Sequence, residues 1–252
     1  MFRDLEDRRA VAAVLTNLAW VAMERSDFRT GWALSEEALR MNRDLGEVRG
    51  EALALNNLGW IANYRDEYQA ARSFHEQSLE LRRRIGDRRG VAFALTSLAW
   101  AEQYHGDYAR AKLLLADARR IVEDLNDKVI LAFTHLVAAY VEHDMGELDR
   151  AKEVVEQGAV LGEQSGNRSL LAGVLLTLGA VLRDGGDHPA AAERLERALE
   201  HFRALGSLWS VAATLCNQGM AELARGNIEQ AGRLLIDSLD LHRSLEDKLG
   251  AA

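Results

Sequence analysis

One four-residue pattern returns every forty residues along the chain. Its clear copies are Asn17-Leu18-Ala19-Trp20, Asn57-Leu58-Gly59-Trp60 and Ser97-Leu98-Ala99-Trp100. Weaker copies follow at Val137-Ala138-Ala139-Tyr140, Thr177-Leu178-Gly179-Ala180 and Asn217-Gln218-Gly219-Met220. No copy is displaced by even one residue. A fixed period of this length marks a protein built from stacked repeats, in which each unit buries its apolar face against its neighbours. A stack of near-identical units offers an extended surface and no natural catalytic centre, so binding is the default expectation.

Each unit divides into two helical stretches. In the second unit, Ala52, Leu55, Leu58, Gly59 and Ala62 fall on one helical stripe, and a polar turn, Arg65-Asp66-Glu67, ends it. The next stretch, from Tyr68 to Ile85, carries Ala71, Phe74, Ser78, Leu79 and Leu81 on its inner side before Gly86-Asp87 closes the unit. Three columns stay small throughout. Ala12, Ala52, Ala92, Ala132, Ala172 and Ala212 form one; position 59 is only Ala or Gly; position 71 is only Gly or Ala. A large side chain there would hold neighbouring helices apart, so these columns are expected helix contacts. Glycines at 106, 146, 186 and 226 end first helices, with Ser26 and Asp66 in their place in the first two units, and the polar residue that follows is expected to cap the second helix. Gly46, Gly86, Asn126, Gly166 and Gly206 separate units, and Glu246-Asp247 stands at the sixth such place without a glycine. The single proline, Pro189, falls at an expected helix start.

The residues resemble tetratricopeptide repeats, whose motif runs W-x-x-L-G-x-x-Y in the first helix with alanines in the second. Matching positions are Leu55, Leu58, Gly59 and Ala62, then Asp66-Glu67-Tyr68, Ala71 and Ser78. The opening aromatic is replaced by leucine in most units, the tyrosine by Ala or Glu in most, and the closing proline is absent. The longer repeat is similar to those of kinesin light chains, of Pins proteins, and of the C-terminal arms of bacterial signal-transduction ATPases and MalT-like regulators. The resemblance implies an all-α fold, a right-handed α-solenoid of six antiparallel helix pairs. Its units would span about 10–47, 48–87, 88–127, 128–167, 168–207 and 208–247, with 1–9 and 248–252 as partial flanking units. Asp4-Leu5-Glu6-Asp7-Arg8-Arg9 reads like a connection between units, and Lys248-Leu249-Gly250-Ala251-Ala252 like the start of another first helix, so end-to-end self-association is expected.

By the family's pattern the first helices line the concave wall. One row is then Trp20, Trp60, Trp100, Tyr140, Ala180 and Met220; a second holds Asn17, Asn57, Ser97, Val137, Thr177 and Asn217; a third holds Glu24, Tyr64, Tyr104, Asp144, Asp184 and Ala224. The aromatics fall in the first four units. Trp and Tyr give large contact area at small entropic cost, and asparagine amides can both donate to and accept from a peptide backbone. The wall residues Asn17, Trp20, Glu24, Asn57, Trp60, Tyr64, Trp100, Tyr104, Tyr140 and Asp144 are therefore the candidate contacts for a peptide or protein partner. The competing reading of the aromatic row is packing between first helices.

Other classes find less support. A net charge of −8 argues against direct nucleic-acid binding. Arg82-Arg83-Arg84 with Arg88-Arg89 reads as a solvated rim. No eighteen-residue apolar run predicts a membrane helix, and the charged stretch before Ala10 does not read as a secretory signal. His135 and His143 lie too far apart to share a metal, no metal or phosphate motif occurs, and Cys216 reads as a small inert hydrophobe. Neither cofactor nor enzymatic activity is expected, and a cytoplasmic location is. The alternatives to a protein-interaction module are a small-molecule effector arm of a transcriptional regulator and an architectural spacer. Gly158, Gly162 and Gly173 predict a bend or a mobile stretch, and Gly162 has no evident packing role.

Overall fold

The structure, a computed structural model, describes residues 7–250, with side chains described as far as Leu245. The residues up to Glu6 and from Ala251 onward lie outside the described residues, and with them most of the first flanking segment named above. Two compact units divide the chain, Met1–Asn126 and Asp127–Ala252.

The first unit holds α1 (Arg8–Glu24), α2 (Phe28–Leu45), α3 (Val48–Tyr64), α4 (Tyr68–Arg84), α5 (Arg88–Tyr104) and α6 (Tyr108–Leu125). The second holds α7 (Lys128–Asp144), α8 (Leu148–Ser165), α9 (Arg168–Asp184), α10 (His188–Leu205), α11 (Leu208–Ala224) and α12 (Ile228–Gly250). No strand occurs among the described residues. In each unit a helix packs on its successor, and alternate helices also touch: α1 with α3 and α3 with α5, then α7 with α9 and α9 with α11. This is the α-solenoid arrangement of stacked helix pairs. A helix of about seventeen residues spans roughly 25 Å.

The turns follow from chain stereochemistry. Left-handed residues sit at Ser26 (φ 61°), Asp66 (φ 57°) and Gly106 (φ 87°) within pairs, and at Gly46 (φ 67°), Gly86 (φ 67°) and Asn126 (φ 52°) after α2, α4 and α6. The amide of Asp27 then donates to Ala22 O at 2.8 Å, and that of Glu47 to Asn42 O at 2.9 Å, closing the helix ends. Asp27, Asp107 and Asp187 accept from the backbone amide three residues on and cap α2, α6 and α10. Glu67 and Glu147 stand at the same place and make no side-chain cap, since the extra methylene carries the carboxylate past the amides. No left-handed residue interrupts Glu246-Asp247, and α12 continues to Gly250 instead of breaking into a new first helix.

The small columns are buried as their spacing requires, from Ala12, Ala52 and Ala92 in the first unit to Ala172 and Ala212 in the second. Between them lie Ala38, Leu39, Ala54, Leu55 and Leu58, with Trp32 and Phe74 packed alongside. A Cβ on Gly162 would rest 3.5 Å from Leu171 Cδ1, an ordinary van der Waals contact, so packing does not require glycine at this position. α8 runs through Gly158 and Gly162 without a break. Arg82, expected on a solvated rim, is buried. Its Nε donates to Ser78 Oγ at 3.2 Å and its Nη1 lies 3.5 Å from Asp87 Oδ2, with room left by Gly90 on the following helix.

Candidate functional site

In the first unit Trp60 and Tyr64 of α3, Trp100 of α5 and Phe28 of α2 form one aromatic cluster. The Trp60 and Trp100 rings meet edge to face at 4.1 Å, Tyr64 stands edge-on to Trp100 at 6.5 Å, and Phe28 stacks on Tyr64 at 4.6 Å. Depth differs along the row. Trp20 is exposed and Trp100 half-buried, whereas Trp60 is only 5% exposed. The expectation that all three indoles line the wall is therefore corrected at Trp60, which packs between α3 and its neighbours and holds Trp100 in place. Asn57 is also buried, its amide donating to Thr16 O on α1 at 3.1 Å, so it joins two first helices instead of meeting a partner. Asn17 and Tyr104 are exposed, and Glu24 and Tyr64 half-buried. Burial and the nearby Asp66 carboxylate raise the Tyr104 hydroxyl above its ordinary range, so it remains a neutral donor. Asn63, one turn from Trp60 on α3, carries an Nδ2 without a hydrogen-bond partner.

Behind this face lies His75, fully buried on α4. Its Nδ1 is 3.3 Å from Asn56 Oδ1, and Trp60 meets its ring edge to face at 6.2 Å. Burial pushes its pKa down to about 3, so the imidazole is neutral. Sequence reasoning passed over His75; the signal available was the glycine at position 59, which leaves room for a ring.

A second buried group is Glu102 on α5, at the position where the resembling motif has tyrosine. Tyr68 Oη donates to its Oε2 at 2.7 Å, Arg110 Nε approaches Oε1 at 3.1 Å, and Arg72 Nε lies 3.6 Å away. Tyr68 also stacks on His105 at 3.6 Å. These contacts tie α4, α5 and α6 together.

The second unit presents charge where the first presents rings. Tyr140 is half-buried and Asp144 exposed, while Val137 and Thr177 are buried. His143 Nε2 meets Asp184 Oδ2 at 2.8 Å, and its Nδ1 lies 3.7 Å from Asp144 Oδ1. Hydrogen bonding to Asp144 and then Asp184 raises the His143 pKa, against an opposing effect of burial. Arg183 forks onto Asp184, with Nε to Oδ1 at 2.7 Å and Nη2 to Oδ2 at 2.8 Å, and its Nη1 donates to Asn217 Oδ1 at 2.5 Å. This ladder crosses α7, α9 and α11. Among the described residues no group of His, Cys, Asp and Glu side chains could hold a metal ion, and no helix is long and apolar enough to cross a membrane.

Comparison with known proteins agrees with this geometry. A family profile described as tetratricopeptide repeat matches residues 10–84 and 50–124. Among solved structures, the apo form of RapI is similar with a TM-score of 0.70 and 16% identity, over 99% of this chain and 88% of that one. A Rap protein complexed with competence and sporulation factor matches with a TM-score of 0.69 and 10% identity, over 93% of this chain and 75% of that one. BtubC (BKLC) from P. vanneervenii matches with a TM-score of 0.64 and 16% identity, over 87% and 92%. No curated protein sequence matches.

Proposed function

We propose that this chain, whose residues 10–124 match tetratricopeptide repeats, is a non-catalytic protein-interaction module whose recognition face is built by α1, α3 and α5. The observation that carries this reading is the aromatic cluster of the first unit: half-exposed Trp100 rests on the buried Trp60 and on half-exposed Tyr64, with Trp20 and Tyr104 exposed on α1 and α5. Rings fixed from behind offer contact area without losing side-chain freedom on binding, which is how aromatic anchors come to dominate interfaces. Asn17 and Glu24 supply polar rim contacts. In the second unit, taken by itself, Tyr140 and Asp144 are the candidate partner contacts. The Rap relative was solved holding a separate factor, which supports a binding role for the scaffold. The resemblance to the long repeats of bacterial regulators supports a place as the sensor or scaffold part of a larger cytoplasmic regulator.

The test is a peptide library displayed against the protein, followed by titration of the selected peptide with intrinsic Trp fluorescence as readout. A shift in emission that disappears in Trp100→Ala is the expected result. A shift produced by small metabolites and by no peptide would favour an effector-binding arm, and no shift with either would leave a spacer.

A further inference from the structure

Among the exposed apolar side chains of the described residues, two sets lie on the first and the last helix pair. One is on α1, with Val14, Leu18 and Val21; the other is on the last helix pair, with Leu223, Ile228 and Leu239. The forty-residue register tells what the same positions do elsewhere. Val14, Leu18 and Val21 correspond to Ala54, Leu58 and Ile61 on α3, which are buried where one helix pair lies on the one before it. Leu18 is 48% exposed and Leu58 1%. From the opposite side, Ile228 corresponds to Phe28, and the two are 72% and 3% exposed. Leu239 corresponds to Leu39 and Leu79, both buried. The molecule carries both halves of its own interior joint, one on α1 and one on α11–α12.

We propose that the α1 face of one copy docks on the α11–α12 face of a second copy, head to tail, repeating the joint by which α3 and α4 follow α1 and α2. The polar groups single out a second copy as the occupant. At the joint between α4 and α5–α6, Arg72 and Glu76 carry charge on one side and Glu102 and Arg110 on the other, paired as Arg110 Nη2 to Glu76 Oε1 at 2.7 Å and Arg110 Nε to Glu102 Oε1 at 3.1 Å. At the intermolecular joint the corresponding residues are Gly232 and Ile236 facing Ala22 and Thr30. At these four positions the charge is absent from both sides together. Where Arg197 reaches Glu163 at 3.3 Å in the second unit, the corresponding pair is Glu37 facing Arg243, the same two charges exchanged. Where Trp60 meets Trp100, Met220 of one copy meets Trp20 of the other, a sulfur on an aromatic ring. Such a contact uses two different surfaces, so each added copy presents a fresh face to the next and assembly proceeds beyond the dimer.

Sedimentation equilibrium of the full chain, from micromolar to millimolar concentration, tests this with Leu18→Glu and Ile228→Glu. Both side chains are exposed, and unchanged thermal melting by circular dichroism confirms that each variant folds. The wild-type protein is expected to grow in mass with concentration through dimer and beyond. Each variant alone is expected to remain monomeric, having lost one of the two faces. Mixed in equal amounts, they are expected to form a one-to-one dimer that grows no further, because each retains the face the other lacks. A wild-type mass that stays at one chain throughout the range overturns the proposal. So does self-association of either variant alone, or a mixture that stays monomeric.

Discussion

Gly59 on α3 lies so close to His75 on α4 that a Cβ at position 59 would stand 2.6 Å from the imidazole Cε1. Glycine at this position is what admits a fully buried ring behind Trp60. Gly59→Ala is expected to destabilise the protein by about 1–3 kcal/mol through overpacking. Urea unfolding measures it. With His75→Ala already present the same substitution should become nearly neutral, since the obstructing ring is gone, and a double-mutant cycle separates this from a general effect of alanine.

His75 also makes stability depend on pH. Its pKa is about 3 in the folded protein and 6.5 when exposed, so between those values the unfolded chain holds the extra proton. Stability contributed by the neutral ring is present above pH 6.5 and is lost as pH falls, by up to ~1.4 kcal/mol per unit. His143 acts in the opposite sense: its pKa is raised, so its contribution is full below pH 6.5 and fades as pH rises through the folded value. Urea midpoints measured from pH 7 to pH 4 should fall steeply in the wild type and less steeply in His75→Leu.

The Glu102 carboxylate is buried with Tyr68 as a direct donor. Tyr68→Phe removes one hydrogen bond to a buried charge and is expected to lower stability by about 1.5–3 kcal/mol. In a Glu102→Gln background the same change should have a smaller effect. Equal effects in both backgrounds would mean that the hydroxyl acts only through packing.

The turn after α3 uses Asp66 at φ 57°, where the next pair uses Gly106 at φ 87°. Gly106→Ala is expected to destabilise by about 1–2 kcal/mol, because a Cβ is strained in the left-handed region while space for it is free. Chemical denaturation reads the difference directly.

The helix pattern was legible because a forty-residue period repeats its turns and small columns together, so Gly46, Gly86 and Gly206 could be placed without coordinates. Depth was not legible. Trp20, Trp60 and Trp100 occupy one column, yet Trp60 has a helix pair on either side while Trp20 has none on its N-terminal side among the described residues. Arg82 was hidden for a related reason: a run of arginines reads as solvent-facing, and only its closeness to Gly90 across the turn gives it a buried place. Glu246-Asp247 carried the register of a break but not the residue that makes one, and the helix continues there.

The most direct test of the recognition face is the affinity of a library-selected peptide for three proteins: wild type, Trp100→Ala with Tyr104→Ala, and Leu113→Ala, which changes an exposed side chain on α6. Removing the two rings should weaken binding by about tenfold or more, as loss of aromatic anchors does, while Leu113→Ala should bind as wild type. Equal affinity for the wild type and the double variant would contradict the account.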